Sequence, residues 1–599
     1  MKTNKYKNIL ASCVLGGLLL SLNSCKEGLD YENVNTIVPD AVWKDKAMIN
    51  GFFNDIHGGL NPGWTYNADS SDEGAYKPKN MSSYLKGMIT VDNSNVTLAY
   101  GYIDKINFFL ENLEGVTADV MSEEEKRLLA GQAKFWRAWN YWNMVKWVGG
   151  IPLILETQDI ADKEALYCER NKTSECVTQI IKDLDEAIEV LPGKYADAAN
   201  DYGRITKAAA MSFKGKVLLH YASPLFNPSN NQDRWKNAYE ANKVAVEFLD
   251  KEGYGLYPDF KQLWYDERNK EVIMVNQYFY PGHAMGAFPS PATGNWNQPL
   301  LSTLLSFPKK NGEYLTIDED RLKNDSEYNQ AFMEDFYMNR DDRFYTSIYF
   351  GGIPYPSEQL KGDFTKETTL WYAWEWNGEE NRYDMILSKY YAFIDNPGFT
   401  GFSQLKGMDP TLTYEAGANG QTDWIEMRYA EVLMNLGECA NELGKSEEAL
   451  QVLYAIRKRA NIEEGTDGKY GIKATNQADI REAYIVERQA EFAFEGKRFE
   501  DLRRWKRYDI MNNQGTRKGL YLVLKPGAPL PTLSETILDP EIRKNFRMDY
   551  IDNLDEDPNC RFNLDLNHWF YALNPNQISQ SKNKLEQNKE WGGSFDPLL

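Results

Sequence analysis

The chain has 599 residues, of which 42% are hydrophobic and 13% aromatic, and it carries a formal net charge of −21. That length and apolar content suffice for a large buried core, while the acidic balance would repel a nucleic acid and disfavours docking on anionic lipid headgroups. With 16 Trp and 37 Tyr, the chain holds more rings than a core usually requires, which points to a surface that stacks on something.

The N-terminus reads as a secretion signal of the bacterial lipoprotein type. Lys2, Lys5 and Lys7 form a basic start, an apolar run follows from Ile9 to Leu22, and Leu22-Asn23-Ser24-Cys25 closes it. Gly and Ser interrupt the run, which is short of the roughly 20 apolar residues of a spanning helix. Cleavage before Cys25 is therefore expected, with lipid on Cys25 holding the body to a membrane surface; each buried methylene contributes about 0.8 kcal/mol. Removing residues 1–24 takes away three lysines and no acid, so the mature charge falls from −21 to −24. The acids in Lys26-Glu27-Gly28-Leu29-Asp30 are similar to an export tag for the outer face of the outer membrane. No later segment reads as a membrane span.

Helical periodicity dominates the first third. Ser122 and Glu125 form a capping box, and the helix they open runs to Trp147, where Gly149-Gly150-Ile151-Pro152 stops it. A second helix starts at Ser174 and buries Val177, Ile181, Leu184, Ile188 and Leu191 at spacings of three and four. Thr206–Tyr221 and Trp235–Lys251 read as an antiparallel pair. Between about 255 and 420 this period is lost, Gly, Pro and Asn are frequent, and only short strands such as Glu271–Tyr280 and Phe344–Phe350 are expected. Helix pairs return late. Asp423–Leu443 and a helix capped by Ser446 span about 34 residues from Trp424 to Arg457, the length of a tetratricopeptide unit. The organisation expected is a signal peptide (1–24), a lipid-anchored linker (25–40) and one domain (41–599). Its helical scaffold covers about 41–255 and 420–599, with a loop-rich binding region at about 255–420.

Chemistry-bearing motifs are scarce. There are four histidines, with no HExxH, no zinc-spaced cysteine pairs, no GxSxG and no phosphate-cradling glycine loop. No catalytic residue, cofactor or metal is therefore assigned. Asp69-Ser70-Ser71-Asp72-Glu73 could hold a cation or be a solvated loop, and Cys168 and Cys176 could pair. In Glu487–Trp505, acids and arginines alternate with Phe492, Phe494, Leu502 and Trp505. Charges this close to apolar side chains are expected to form a structural ion network rather than an acid/base site.

Sugars present apolar faces to flat rings and hydroxyls to short polar side chains, so exposed aromatics interleaved with Asn, Asp or Arg mark a glycan surface. Three loops have that composition: Asn61–Asn67 with Trp64 and Tyr66, Gly294–Gln298 with Trp296, and Trp371–Asn377. If the last is extended, Tyr372, Trp374 and Trp376 share one face, with Trp371 as a neighbour. Inward packing is the competing reading for each ring. Trp136, Trp139 and Trp142 lie in the long helix and read as core.

Several segments together resemble the SusD/RagB family of surface nutrient-binding lipoproteins. The run Gly131-Gln132-Ala133-Lys134-Phe135-Trp136-Arg137-Ala138-Trp139 into Trp147–Leu153 is similar to its N-terminal hallmark. Gly203-Arg204-Ile205-Thr206-Lys207 with Tyr221–Asn227, Arg428-Tyr429-Ala430-Glu431 with Ile456–Ala460, and Glu487–Trp505 follow in the family's order. The tail departs from the pattern, with Ala572-Leu573-Asn574-Pro575 where relatives tend to carry a Pro-Ile-Pro turn. The resemblance implies a mainly α fold of tetratricopeptide-like helix pairs with a large loop-rich excursion. It also implies a non-catalytic protein at the cell exterior that captures oligosaccharide or polysaccharide and caps a TonB-dependent, SusC-like outer-membrane transporter as a hinged lid. The alternatives are a lipid-anchored surface glycoside hydrolase, and the same family carrying a non-glycan nutrient such as peptide.

Overall fold

The computed structural model describes residues 39–599 apart from 160, 163, 165, 198, 287–296, 358–366, 387–397 and 556. Cys25, the signal and Trp296 lie outside the described residues. The fold is mainly helical. Helices α1 (Lys46–Leu60), α2 (Gly101–Glu114), α3 (Glu123–Val148), α4 (Thr173–Val190), α5 (Lys207–Ala222) and α6 (Gln232–Lys251) pack successively, each against its neighbours in sequence or one element beyond. The capping box at Ser122 is present, and Gly149, at φ +81°, ends α3 where a side chain would collide with Pro597. Trp136, Trp139 and Trp142 are core, at 0%, 7% and 1% exposure. Helices α5 and α6 touch closely because Gly215 has no Cβ: one placed there would lie 2.4 Å from Asn242 Oδ1, whose amide donates to the Gly215 carbonyl.

The excursion is built of short pieces around helix α7 (Ser326–Met338) and strands β1 (Val272–Asn276), β2 (Trp374–Asn377) and β3 (Arg382–Met385). After it come β4 (Trp424–Arg428), α8 (Tyr429–Glu442), α9 (Ser446–Arg459), α10 (Gln477–Glu491) and α11 (Arg498–Arg504), then β5 (Gly519–Leu524) and β6 (Phe546–Ile551). Three expectations are corrected here. Trp424–Arg428 is a strand paired with β1 rather than the start of a helix, because Trp424, Ile425, Met427 and Arg428 are all buried between two cores. Phe344–Ser347 is helical, and only Ile348–Phe350 is strand. Within the stretch expected as late helical scaffold, β5 and β6 form an antiparallel pair that extends the excursion's own sheet in the order β6-β5-β2-β3.

The charged run is a buried ion network, as its composition indicates. Arg428 bonds Glu271, Glu491 and Glu495 at 2.7, 2.6 and 2.9 Å; Arg343 bonds Asp341 and Glu487, each at 2.7 Å; Arg457 meets Glu487 at 2.7 Å. Arg488 and Arg504 share Asp501, each at 2.8 Å. These side chains are almost wholly buried and tie β4, α9 and α10 to the excursion. Burial alone would raise the Glu491 carboxyl, yet Arg459, Arg428 and Arg343 outweigh it and hold the group well below the ordinary carboxylate range.

In the acid-rich Asp69–Glu73 segment, Asp69 and Ser70 are half-buried and the last two acids are engaged by the protein. Asp72 pairs with Arg498 at 2.9 Å, and Glu73 accepts from the Phe494 N–H at 2.9 Å, both acids being buried. Desolvation pushes Glu73 up to about 7. Cys168 and Cys176 are free thiols. Among the described residues no helix is long and apolar enough to cross a membrane, and no cluster of His, Cys, Asp and Glu could hold a metal ion.

Candidate ligand-binding surface

The four-stranded sheet has two faces of different character. Leu520, Leu522, Leu524, Phe546 and Met548 point to one face and pack on Phe332 and Phe336 of α7. Asn329 of α7 fixes the packing by donating to the Met548 carbonyl at 2.8 Å. The register (Tyr521 opposite Asp549, Val523 beside both Arg547 and Trp374, Trp376 opposite Tyr383) puts Tyr521, Trp374, Trp376, Tyr383, Arg547 and Asp549 together on the other face.

On that face the rings form a connected series. Trp374 lies flat on Tyr521, with centroids 3.8 Å apart and planes at 10°; Tyr383 meets Tyr521 edge-on at 5.3 Å, and Trp376 meets Tyr383 at 4.9 Å. Trp374 is 4% exposed and is the buried support, whereas Trp376 is 42% exposed and presents ring surface to solvent. Polar groups sit beside the rings. Arg547 grips Asp549 with two bonds of 2.8 and 2.9 Å, and the Tyr383 hydroxyl donates to Asp549 at 2.9 Å. Burial and the neighbouring Asp549 carboxylate push the Tyr383 phenol up to about 12, so it remains a donor at neutral pH. The Tyr521 hydroxyl is anchored on the Phe399 carbonyl at 3.0 Å.

The other expected rings divide sharply. Trp64 is 5% exposed, donates its indole N–H to the Thr422 carbonyl at 2.8 Å and meets Trp424 at 5.0 Å. Trp371 is fully buried, stacked on Phe546 at 5.2 Å and bonded to the Thr532 carbonyl at 2.9 Å. Tyr372, 1% exposed, packs edge-on against Tyr349 at 5.7 Å. These three rings have no face left for a ligand. Tyr372 does not join the Trp374–Trp376 face because the Ala373 N–H bonds the Trp371 carbonyl at 2.9 Å, a tight turn that resets the strand's alternation before β2 begins.

Tyr66 is 39% exposed and belongs to a second aromatic surface, with Tyr278 stacked on His283 at 5.0 Å and Phe279 59% exposed. A hydrogen-bonded chain connects the segments around both surfaces. Asn297 donates to the Thr65 carbonyl at 3.0 Å, and Gln298 bridges the Tyr76 carbonyl and the Phe399 N–H at 2.6 and 2.7 Å. Tyr383, Tyr521, Arg547 and Asp549 escaped the sequence reading. Their signal was the alternation of Leu520, Leu522 and Leu524 around Tyr521, which marks a strand with one apolar face and an aromatic residue on the other.

One face of the sheet thus presents an exposed ring, Trp376, beside a fixed Arg–Asp pair, an arrangement able to contact a ligand with both apolar faces and hydroxyls. The SusD family model matches residues 270–592, and a second model, described as starch-binding associating with outer membrane, matches residues 63–219. The chain belongs to the SusD/RagB family, for which glycan binding and outer-membrane association are family-level properties. SusD-like protein P2 of Formosa agariphila is 24% identical over 524 residues, covering 82% of this chain and 89% of that protein. Among solved structures, a SusD-like protein of Bacteroides fragilis has a TM-score of 0.65 at 21% identity, covering 92% of this chain and 98% of its own. A SusD-like carbohydrate binding protein of the same species has a TM-score of 0.62 at 20% identity, covering 91% and 99%. At these identities the structural likeness concerns the fold.

Proposed function

We propose that the protein captures an oligosaccharide or polysaccharide at the cell exterior, without catalysis, and passes it to a partner TonB-dependent, SusC-like transporter. Lipid on Cys25 holds it on the outer membrane. Family membership supports the glycan class, and the observation that carries the site is Trp376: a ring 42% exposed, braced by Tyr383 on a sheet face that also presents the Arg547–Asp549 pair. A sugar ring laid on Trp376 brings its hydroxyls toward a guanidinium and a carboxylate already fixed in place. That preorganisation lowers the ordering cost of binding. The Asp549 carboxylate is engaged by Arg547 and Tyr383, which suits a constant acceptor rather than a group that shuttles protons. Tyr66 serves the second surface.

The test is affinity electrophoresis of wild type against Trp376→Ala, Tyr383→Ala and Trp64→Phe in gels containing the retarding polysaccharide. The first two should migrate with at least about tenfold weaker retardation, the size of a central aromatic anchor, roughly 1.4 kcal/mol or more. Unchanged retardation in both would remove this face from the site.

A further inference from the structure

A cavity of about 340 Å³ lies away from the aromatic sheet, between the α4–α5 connection, the C-terminal end of α6 and the start of β1. Its size falls at the lower end of small-molecule sites, roughly 300–1,000 Å³. Its charge is opposite to that of the chain. Lys194, Arg204, Arg268 and Lys270 line it, and Asp201 is the one carboxylate among the described lining residues, paired with Arg204 at 2.8 Å. The lining thus holds four cations to one acid in a chain of net charge −21, with Glu252, Glu267 and Asp423 close behind the rim and Lys194 donating to the Glu252 carbonyl at 2.7 Å. Among the described residues, neither Arg268 nor Lys270 has a carboxylate within ion-pair distance.

The positive field has a second source. Thr206, also in the lining, caps the 16-residue helix α5, accepting from the Ala209 N–H at 3.2 Å, so the positive end of that helix faces the cavity. Flat rings complete the wall. Arg268 lies over Tyr202 at 5.1 Å and Lys194 over Tyr254 at 5.2 Å. Arg268 adopts φ +61°, a left-handed conformation unfavourable for a long side chain, and its N–H donates to the Tyr202 hydroxyl at 3.1 Å. The backbone is thus held against its preference where it directs a guanidinium to the cavity rim.

We propose that this cavity is a second ligand site that takes the anionic group of an acidic sugar, the carboxylate of a uronic acid or a sulfate ester, with the tyrosine rings against the sugar face. That the anion is borne by a sugar rests on the glycan reading above; the anion site itself rests on the cavity. Arginine and lysine at the rim supply charge-assisted bonds to carboxylate or sulfate oxygens, and a neutral sugar gains none of that.

The test is calorimetry on the detergent-solubilised mature chain with glucuronate, glucose 6-sulfate, glucose and inorganic sulfate at millimolar concentration. Glucuronate or glucose 6-sulfate should bind, glucose should bind at least tenfold more weakly, and inorganic sulfate should bind more weakly than the sulfated sugar. Which acidic sugar binds more tightly separates a carboxylate from a sulfate ligand. The Arg268→Gln/Lys270→Gln double variant, at two exposed positions, should lose at least tenfold in affinity for the acidic sugar, while its retardation by a neutral polysaccharide should be unchanged. Absence of binding by both acidic sugars, equal binding of glucose, inorganic sulfate binding as tightly as the sulfated sugar, or an unaffected double variant would each overturn the proposal. Acidic-sugar binding in a protein that no polysaccharide retards would leave the cavity standing and remove the sheet face; neutral polysaccharide binding with a silent cavity would do the reverse.

Discussion

Replacing Arg428 by Ala tests whether the buried ion network holds the excursion to the helix pairs. Arg428 is 1% exposed, and its guanidinium reaches Glu271, Glu491 and Glu495 as well as the Glu491 carbonyl at 2.9 Å. After truncation, Glu271 retains Arg459 at 2.9 Å, Glu495 retains Lys406 at 2.9 Å, and Glu491 retains Arg343 at 3.1 Å. Three buried carboxylates then share fewer cations, and the cavity left over Phe492, whose ring lies 4.6 Å from the guanidinium, adds to the loss. Breaking a buried pair in this way costs about 3–5 kcal/mol, roughly a hundred- to several-thousand-fold in the folding equilibrium. Urea unfolding at pH 7, followed by tryptophan fluorescence, should show a lower midpoint with an unchanged slope. Arg428→Lys keeps one charge but not the fork and should fall between the two. A loss below about 1 kcal/mol for Arg428→Ala would refute the reasoning, since it is the range of a solvated surface pair.

Acid should act on the same network. Arginines outweigh burial to hold Glu487, Glu491 and Glu495 below their ordinary value of 4.5, so their contribution is present above that pH and lost as pH falls through the depressed folded values. Stability measured from pH 6 down to pH 3 should drop below about 4.5 in wild type, and less steeply in Arg428→Ala. The two neighbouring tryptophans should separate: Trp374→Ala removes a buried ring stacked on Tyr521 and should cost about 3–5 kcal/mol of stability, while Trp376→Ala should change stability by under about 1 kcal/mol. Gly407→Ala should destabilise by several kcal/mol in the same unfolding assay, because the residue sits at φ +83° and a Cβ would lie 2.1 Å from the buried Trp64 ring. Wild-type stability in that variant would mean that Trp64 is loosely held.

Helices and the Ser122 cap were legible because their signals are local, whereas Ser446, expected as a cap, lies inside α9 after an N-cap at Lys445 that makes no side-chain bond. Ser122 and Glu125 are three residues apart, and the α3 tryptophans recur at helical spacing. The ion network was legible for a related reason: the ten charges of Glu487–Trp505, set among core-type aromatics, must find partners, even when the sequence does not say which. Strand positions were harder. Trp424–Arg428 continues into α8 without a break in composition, and only its pairing with β1 makes it extended. The site divides along the same line. Trp371–Trp376 is visibly aromatic, yet which rings face outward depends on one backbone hydrogen bond at Ala373 and on the β5–β6 pair more than a hundred residues away. Asp72 finds its partner, Arg498, 426 residues along the chain, so its burial has no local trace.

The central claim, a non-catalytic glycan-binding surface protein, is tested most directly by affinity electrophoresis of the mature chain through gels containing a panel of polysaccharides, with product analysis on the same mixtures. The account predicts retardation by at least one polysaccharide, lost in Trp376→Ala, with no new reducing ends released. Release of reducing ends by wild-type protein would contradict it in favour of a surface glycoside hydrolase, and free migration in every gel would contradict it in favour of a non-glycan cargo.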